Sequence, residues 1–390
     1  MDFSKLRDFV DYMAAKRSPG CAVKVCVNGQ PVFEHAAGFS NLEEKIPMTG
    51  QEYVYIYSCS KIATVTAAAQ LLERGAFLLN DPLAEYLPAF REMTVRRPDG
   101  TLSPAKNPIT VGDLFSMTAG FDYDIQSPAL LAAKEQDPAC PTLHMIRALA
   151  AQPLSFEPGT CWQYSLCHDV LAGLVEAVSG MKFRDYVRKN LFEPLGMDHS
   201  FYHPTPEILA RMAEQYQFTP WNAVSTLDDD LVALQKNGCA ADGFFRNVGK
   251  ENRFLFGPEY DSGGAGIITT CGDYLKLLTA LSMNGGGILA PETVELMKTD
   301  RLTPEQRPYL NWPALRGYGY GLGVRTHIDR ARSGSIARLG EFGWGGAAGA
   351  TAVIDSELHL AVFFTQHTLS PREEWYQPRL RNVAYACLGD

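Results

Sequence analysis

Ser58 and Lys61 stand three residues apart at the head of the apolar run Ile62 to Leu72. A serine hydroxyl is a poor nucleophile at neutral pH until a neighbouring group takes its proton. Residues three apart on a helix share a face, so this spacing brings an amine within reach of a hydroxyl. Burial and the positive end of a helix dipole both disfavour an ammonium ion, and on those grounds the Lys61 pKa is expected to fall. The chemistry such a pair supports is attack of serine on a carbonyl carbon. The plainer reading is that Ser58 only caps the helix that follows it.

The S-x-x-K pattern occurs three times in the chain, where about one chance match is expected. Ser103 to Lys106 lies in Ser103-Pro104-Ala105-Lys106-Asn107-Pro108, which reads as loop. Ser179 to Lys182 is interrupted by Gly180, a helix C′ residue. Only Ser58 and Lys61 open a helix, with Ile62, Val65, Ala69 and Leu72 at three-and-four spacing and a stop at Gly75. Cys59 between them points about 100° away from Ser58, which leaves Ser58 and Lys61 as the facing pair.

Two further segments add to the pair. Tyr164-Ser165-Leu166 precedes a second apolar helix, Val170 to Val178, closed by Gly180. Gly343-Trp344-Gly345-Gly346-Ala347, followed by Gly349, lies between two strand-like runs, where glycine lets backbone approach a ligand closely. A phenol beside a lysine can relay a proton, and a glycine-rich strand edge can present an N–H to an oxyanion. Each has a plainer alternative: a packing tyrosine, a core tryptophan, a bend in a strand. His168-Asp169 invites a Ser-His-Asp triad, but both residues open the Val170 helix, where Asp169 reads as an acid favoured by the helix dipole.

With these residues in place, the chain resembles the serine β-lactamase and penicillin-binding-protein superfamily, and within it the class C-like family VIII carboxylesterases. The family's S-x-x-K is similar to Ser58–Lys61, its Y-x-N box to Tyr164-Ser165-Leu166 and its K-T-G box to Trp344-Gly345-Gly346. Ile109 to Leu114, Met117 to Gly120, Gly263 to Gly266 and Tyr318 to Gly323 also fit, in order and spacing, along nearly the whole chain. The resemblance implies an α+β fold of the β-lactamase/transpeptidase kind: an antiparallel β-sheet flanked by N- and C-terminal helices, plus a mainly helical inserted lobe. It implies that Ser58 forms an acyl-enzyme, that Lys61 and Tyr164 move its proton, and that the backbone N–H groups of Ser58 and Ala347 form the oxyanion hole. Trp344, Gly345, Gly346 and Leu166 would then line the substrate site.

Two departures from the lactamase pattern bear on substrate. The asparagine expected two residues after Tyr164 is Leu166, so an amide that would meet an acylamino group is missing. The lysine of K-T-G is Trp344, which removes a cation that would meet the carboxylate of a β-lactam. Both changes favour a small neutral ester, with Trp344 as a flat apolar wall. A β-lactamase, a D-amino-acid peptidase or amidase, an acyltransferase and a weakly catalytic binding homologue are the alternatives within the same resemblance.

Other chemistries lack their residues. There is no G-x-S-x-G elbow, no H-E-x-x-H, no C-x-x-C and no G-x-x-x-x-G-K-[ST] loop, so neither a metal nor another cofactor is expected. A net charge of −9 gives no basic surplus for nucleic acid. No apolar stretch approaches the roughly 18 to 20 residues of a membrane span. The expected partner is a small-molecule ester or amide. Nine cysteines at irregular intervals suit a reducing compartment better than a disulfide framework, and the opening Met1 to Phe9 reads as an amphipathic helix and not a secretory signal, so a cytoplasmic location is expected.

The elements that must position these residues follow from pattern. Cys21 to Val27 and Pro31 to Ala37, joined by Asn28-Gly29, read as a hairpin. Asp81-Pro82 reads as the start of a short helix. Later elements are a helix from Asp273 to Met283, strands near Gly321 to Thr326, Ala348 to Asp355 and His359 to Gln366, and a helix from about Arg372 to Leu388. This divides the chain into a sheet lobe, 1–57 with 249–390, and a mainly helical lobe, 58–248, with the site at their junction. The stretches Phe218 to Phe256 and Phe121 to Gln136 are expected to rim the pocket, because irregular loops on a rigid frame commonly set substrate fit.

Overall fold

The computed structural model describes residues 1–221 and 243–389. The acidic run Asp228-Asp229-Asp230 and the Asn237-Gly238 turn lie outside the described residues.

Alternation of side chains along the strands explains why the sheet needs helices on both faces. Val23, Val25, Val353, Val362 and Phe364 point to one side, where Leu6, Phe9, Val10 and Met13 of the first helix, Ser4–Lys16, meet Tyr376, Leu380 and Ala384 of the last, Glu373–Ala386. Their neighbours Ala22, Cys26, Ala352, Ile354, Ala361 and Phe363 point to the other, into the main core. With both faces covered, the central strands read as continuous apolar runs. The sheet has eight antiparallel strands, in the order Tyr318–Tyr320, Arg325–His327, Phe342–Gly343, Thr351–Asp355, Leu360–Thr365, Gly20–Val27, Gln30–Asn41, Ile46–Pro47. The N-terminal strand Gly20–Val27 pairs with Leu360–Thr365 from the far end of the chain.

The Asn28-Gly29 hairpin forms as expected, with both residues at positive φ, 52° and 75°. Three expectations change. The run Gly321 to Thr326 is a turn and part of a strand: Gly323 has φ 71°, and the strands on either side of it pair as a hairpin. The stretch around Ser103, read as loop, contains the short strand Leu102–Pro104, paired with Thr94–Arg96. At Asp81-Pro82 the helix is a single 3-10 turn, Leu83–Glu85, and the Asp81 carboxylate accepts from Leu78 N and Tyr86 Oη without capping it.

The helix Ser60–Glu73 runs through the main core with nearly every residue buried, and the helix Cys167–Ser179 packs against it. Gly180, at φ 70°, ends the second of these as expected. Among the described residues no helix is long and apolar enough to cross a membrane, and the eight cysteines there are free thiols.

Candidate active site

The segment carrying Ser58 is held from both sides before any side chain is considered. Val54–Tyr55 pairs with Ile268–Thr269, and Ile56 N donates to Ile267 O at 3.1 Å. A 3-10 turn, Tyr57–Cys59, then leads into the helix at Ser60. Tyr57 takes φ 44°, a strained choice for a bulky side chain. Its hydroxyl donates to Gln215 Oε1 at 2.6 Å and its ring meets Phe254 edge-on, which keeps it there.

Ser58 is not the cap of the following helix, which has no side-chain cap. Its Oγ lies 3.2 Å from Lys61 Nζ. Lys61 is fully buried, and its ammonium has three acceptors for three donors: Ser58 Oγ, Tyr123 Oη at 3.4 Å and Gly264 O at 2.8 Å. It also sits 4.6 Å from the centre of the Tyr164 ring. Burial pulls the Lys61 pKa down, but Tyr123, Tyr164 and the Asp169 carboxylate outweigh it and hold it above the ordinary lysine value. The expected fall is therefore reversed, because the sequence argument counted burial without the groups that distant segments bring.

Tyr164 and Tyr123 arrive together. The capping box Thr110–Asp113 starts the helix Val111–Ser116, Met117 ends it at φ 60°, and the chain then runs beside residues 163–166: Gln163 N donates to Met117 O and Leu166 N to Asp122 O, both at 3.0 Å. The two phenol rings consequently stack, 5.3 Å apart and 3° from parallel. Trp344 stacks on the other side of Tyr164 at 5.6 Å, and its Nε1 donates to Tyr164 Oη at 3.3 Å.

The Trp344-Gly345-Gly346 edge closes the site against the Ser58 segment. A Cβ on Gly346 would fall 2.1 Å from Ile56 O, so only glycine permits this approach. Ser58, Tyr164, Trp344, Gly345, Gly346 and Ala347 line one cavity of about 170 Å³. Of the residues expected at the site, Leu166 does not join them: it is buried in the core. His168 turns away as well, its Nε2 3.3 Å from Phe115 O, and burial pushes its pKa down to about 3. Cys59 is fully buried with its thiol pushed up to about 12 by burial, which makes it inert beside Ser58.

Other residues at the site carried no sequence motif. Tyr123 is one, although its stretch was expected to rim the pocket, and Phe254, from the other such stretch, packs edge-on against it. Trp312 contributes an aromatic wall, and Gln377 lines the same cavity. Arg325 does too, but its charge is matched: Nη1 donates to buried Glu341 Oε1 at 2.8 Å, and Nη2 to Ala352 O at 3.2 Å.

The beta-lactamase family model matches residues 7–385. The chain belongs to the beta-lactamase family. Among its relatives in this family is esterase EstB of Burkholderia gladioli, 30% identical over 376 residues, covering 92% of this chain and 88% of EstB. Lovastatin esterase of Penicillium rubens is 28% identical, over 82% of this chain and 78% of the relative. The solved structure of EstCE1, described as a hydrolase with promiscuous acyltransferase activity, superposes with a TM-score of 0.76 at 24% identity, covering 98% of this chain and 97% of EstCE1. This last likeness is one of fold, and it places the chain among β-lactamase/transpeptidase-like architectures.

Proposed function

We propose that this beta-lactamase-family chain is a serine ester hydrolase that cleaves small neutral esters through an acyl-enzyme on Ser58. The observation that carries the reading is the 3.2 Å approach of Lys61 Nζ to Ser58 Oγ beside a cavity that also takes in Tyr164 and the Gly345–Ala347 edge. Relatives named as esterases support the ester over the lactam.

In this reading the reactive form carries Tyr164 as phenolate, its own proton given up to solvent, and Ser58 Oγ attacks the carbonyl carbon while its proton passes to that phenolate oxygen. Lys61, cationic and 4.6 Å from the centre of the Tyr164 ring, orients Ser58 and favours negative charge on that phenol. The backbone N–H groups of Ser58 and Ala347 receive the oxyanion. The leaving alkoxide takes the proton back, water then attacks the acyl-enzyme, and Ser58 is released. Lys61 and Tyr164 thus work as one proton-transfer unit.

Cavity size and charge define the substrate. About 170 Å³ is below the roughly 300 to 1,000 Å³ that holds drug-sized ligands, so a short acyl or alcohol group fits. Among the described residues lining the cavity, Arg325 is the cation and it is paired to Glu341, while Trp344 stands in the place of a lysine, so this lining does not favour a carboxylate. The free thiols among the described residues support a reducing, cytoplasmic setting. Turnover of p-nitrophenyl butyrate against nitrocefin tests the reading: the ester is the better substrate, and faster nitrocefin hydrolysis contradicts it.

A further inference from the structure

Asp169 is buried in the first turn of the helix Cys167–Ser179, where the dipole alone accounts for an acid. Its contacts go further. Oδ1 accepts from Tyr260 Oη at 3.0 Å, Ser262 Oγ at 2.7 Å and Gly264 N at 3.3 Å. All three donors lie in one segment, 260–264, whose last carbonyl is the 2.8 Å acceptor for Lys61 Nζ. Where this carboxylate sits therefore decides where Lys61 is held.

The second carboxylate oxygen faces Lys61 through a gap. A Cβ on Gly264 would fall 2.4 Å from Asp169 Oδ2 and 3.3 Å from Lys61 Nζ. Gly264 is not at positive φ, so the backbone does not require glycine there. What its missing side chain provides is an open line between carboxylate and amine. The ionisable groups facing Lys61 are Tyr123 from the 117–123 segment, Tyr164, Cys167, His168 and Asp169 at the start of their helix, Cys59 from the nucleophile turn and, behind Asp169, Tyr260. Asp169 is the one carboxylate among them.

Building on the acyl-enzyme reading, we propose that Asp169 is a positioning residue for the nucleophile pair: it anchors segment 260–264 and supplies the counter-charge that holds Lys61 beside Ser58. It does not touch the reacting atoms. Asparagine has the same shape and keeps an acceptor for the segment while removing the charge, so Asp169→Asn separates charge from scaffold.

The test follows Lys61 itself, by the ¹³Cε shift of labelled lysine across pH, assigned with Lys61→Arg. In the wild type the Lys61 midpoint lies above the ordinary lysine value. In Asp169→Asn its midpoint falls by about one pH unit or more, and kcat/KM toward p-nitrophenyl butyrate drops about tenfold. Gly264→Ala, which forces the two charges apart, moves both readouts in the same direction and serves if the first variant does not fold. A Lys61 midpoint unchanged in both variants overturns the proposal. An acyl adduct on wild-type Ser58 is sought in parallel: its absence counts against the hydrolase reading, while the lysine titration still judges Asp169.

Discussion

The indole Nε1 of Trp344 donates to the hydroxyl of Tyr164 at 3.3 Å, and the two rings stack. Two boxes 180 residues apart are thereby joined at the phenol proposed to transfer the proton. The donor engages a lone pair of the phenol oxygen and supports negative charge on it. Trp344 therefore does more than wall the cavity.

Trp344→Phe keeps an aromatic wall and removes the N–H. One net hydrogen bond of about 1 kcal/mol corresponds to roughly fivefold in rate. Steady-state kinetics on p-nitrophenyl butyrate should show kcat falling by about that factor with little change in KM. An unchanged kcat means the contact plays no part in proton transfer.

The two stacked phenols should have unequal roles. Tyr164 lines the cavity with Ser58, whereas Tyr123 contacts Lys61 at 3.4 Å from behind. Tyr164→Phe is expected to lower kcat/KM by about 10² to 10⁴, the range for loss of a general acid–base group. Tyr123→Phe removes a long hydrogen bond and should cost about fivefold. Equal losses in the two variants contradict this assignment.

Acyl-chain preference should depend on Trp312. Its ring meets Tyr164 edge-on at 5.1 Å and Trp162 edge-on at 5.7 Å, closing one side of the cavity while leaving part of itself in solvent. Trp312→Ala opens that side without touching Ser58 or Lys61. Against a p-nitrophenyl ester series, the optimum should move from short to longer acyl chains. A variant with the wild-type profile would show that the wall lies elsewhere.

Stability should fall in mild acid. Burial holds His168 down to about 3 and His367 down to about 4, against 6.5 for a free imidazole. His367 Nδ1 donates to Ala213 O at 2.9 Å and its Nε2 accepts from Tyr55 N at 3.3 Å, a pattern that needs the neutral ring. The unfolded chain binds these two protons first, so the contribution is complete above pH about 6.5 and is lost as pH falls toward 4. Urea unfolding should show a slope approaching about 2.7 kcal/mol per pH unit near pH 5. A flat profile there contradicts the burial of neutral histidines.

The sequence made the local parts of this site readable and left the long-range ones hidden. Ser58 and Lys61 are joined by helical spacing, and the Asn28-Gly29 turn and the Gly180 helix end have their own chemistry. Tyr123 could not be singled out as a Lys61 contact, since its position follows from backbone pairing between residues 117–122 and 163–166. The charge of Lys61 was misjudged for a similar reason: its acceptors and the Asp169 carboxylate come from three separate segments. Around Gly323 the glycines that suit a turn sit inside an apolar run, which masked a hairpin as one strand. Leu166 stands at the right offset from Tyr164 in sequence, but at the head of its helix it turns into the core.

The central claim is that Ser58 becomes covalently acylated. Intact-protein mass spectrometry after brief exposure to a mixed panel of short-chain esters measures this directly. The account predicts one added acyl mass on the wild-type chain, located at Ser58 by peptide mapping and missing from Ser58→Ala. An adduct of equal yield on Ser58→Ala, or on another residue of the wild type, would contradict it.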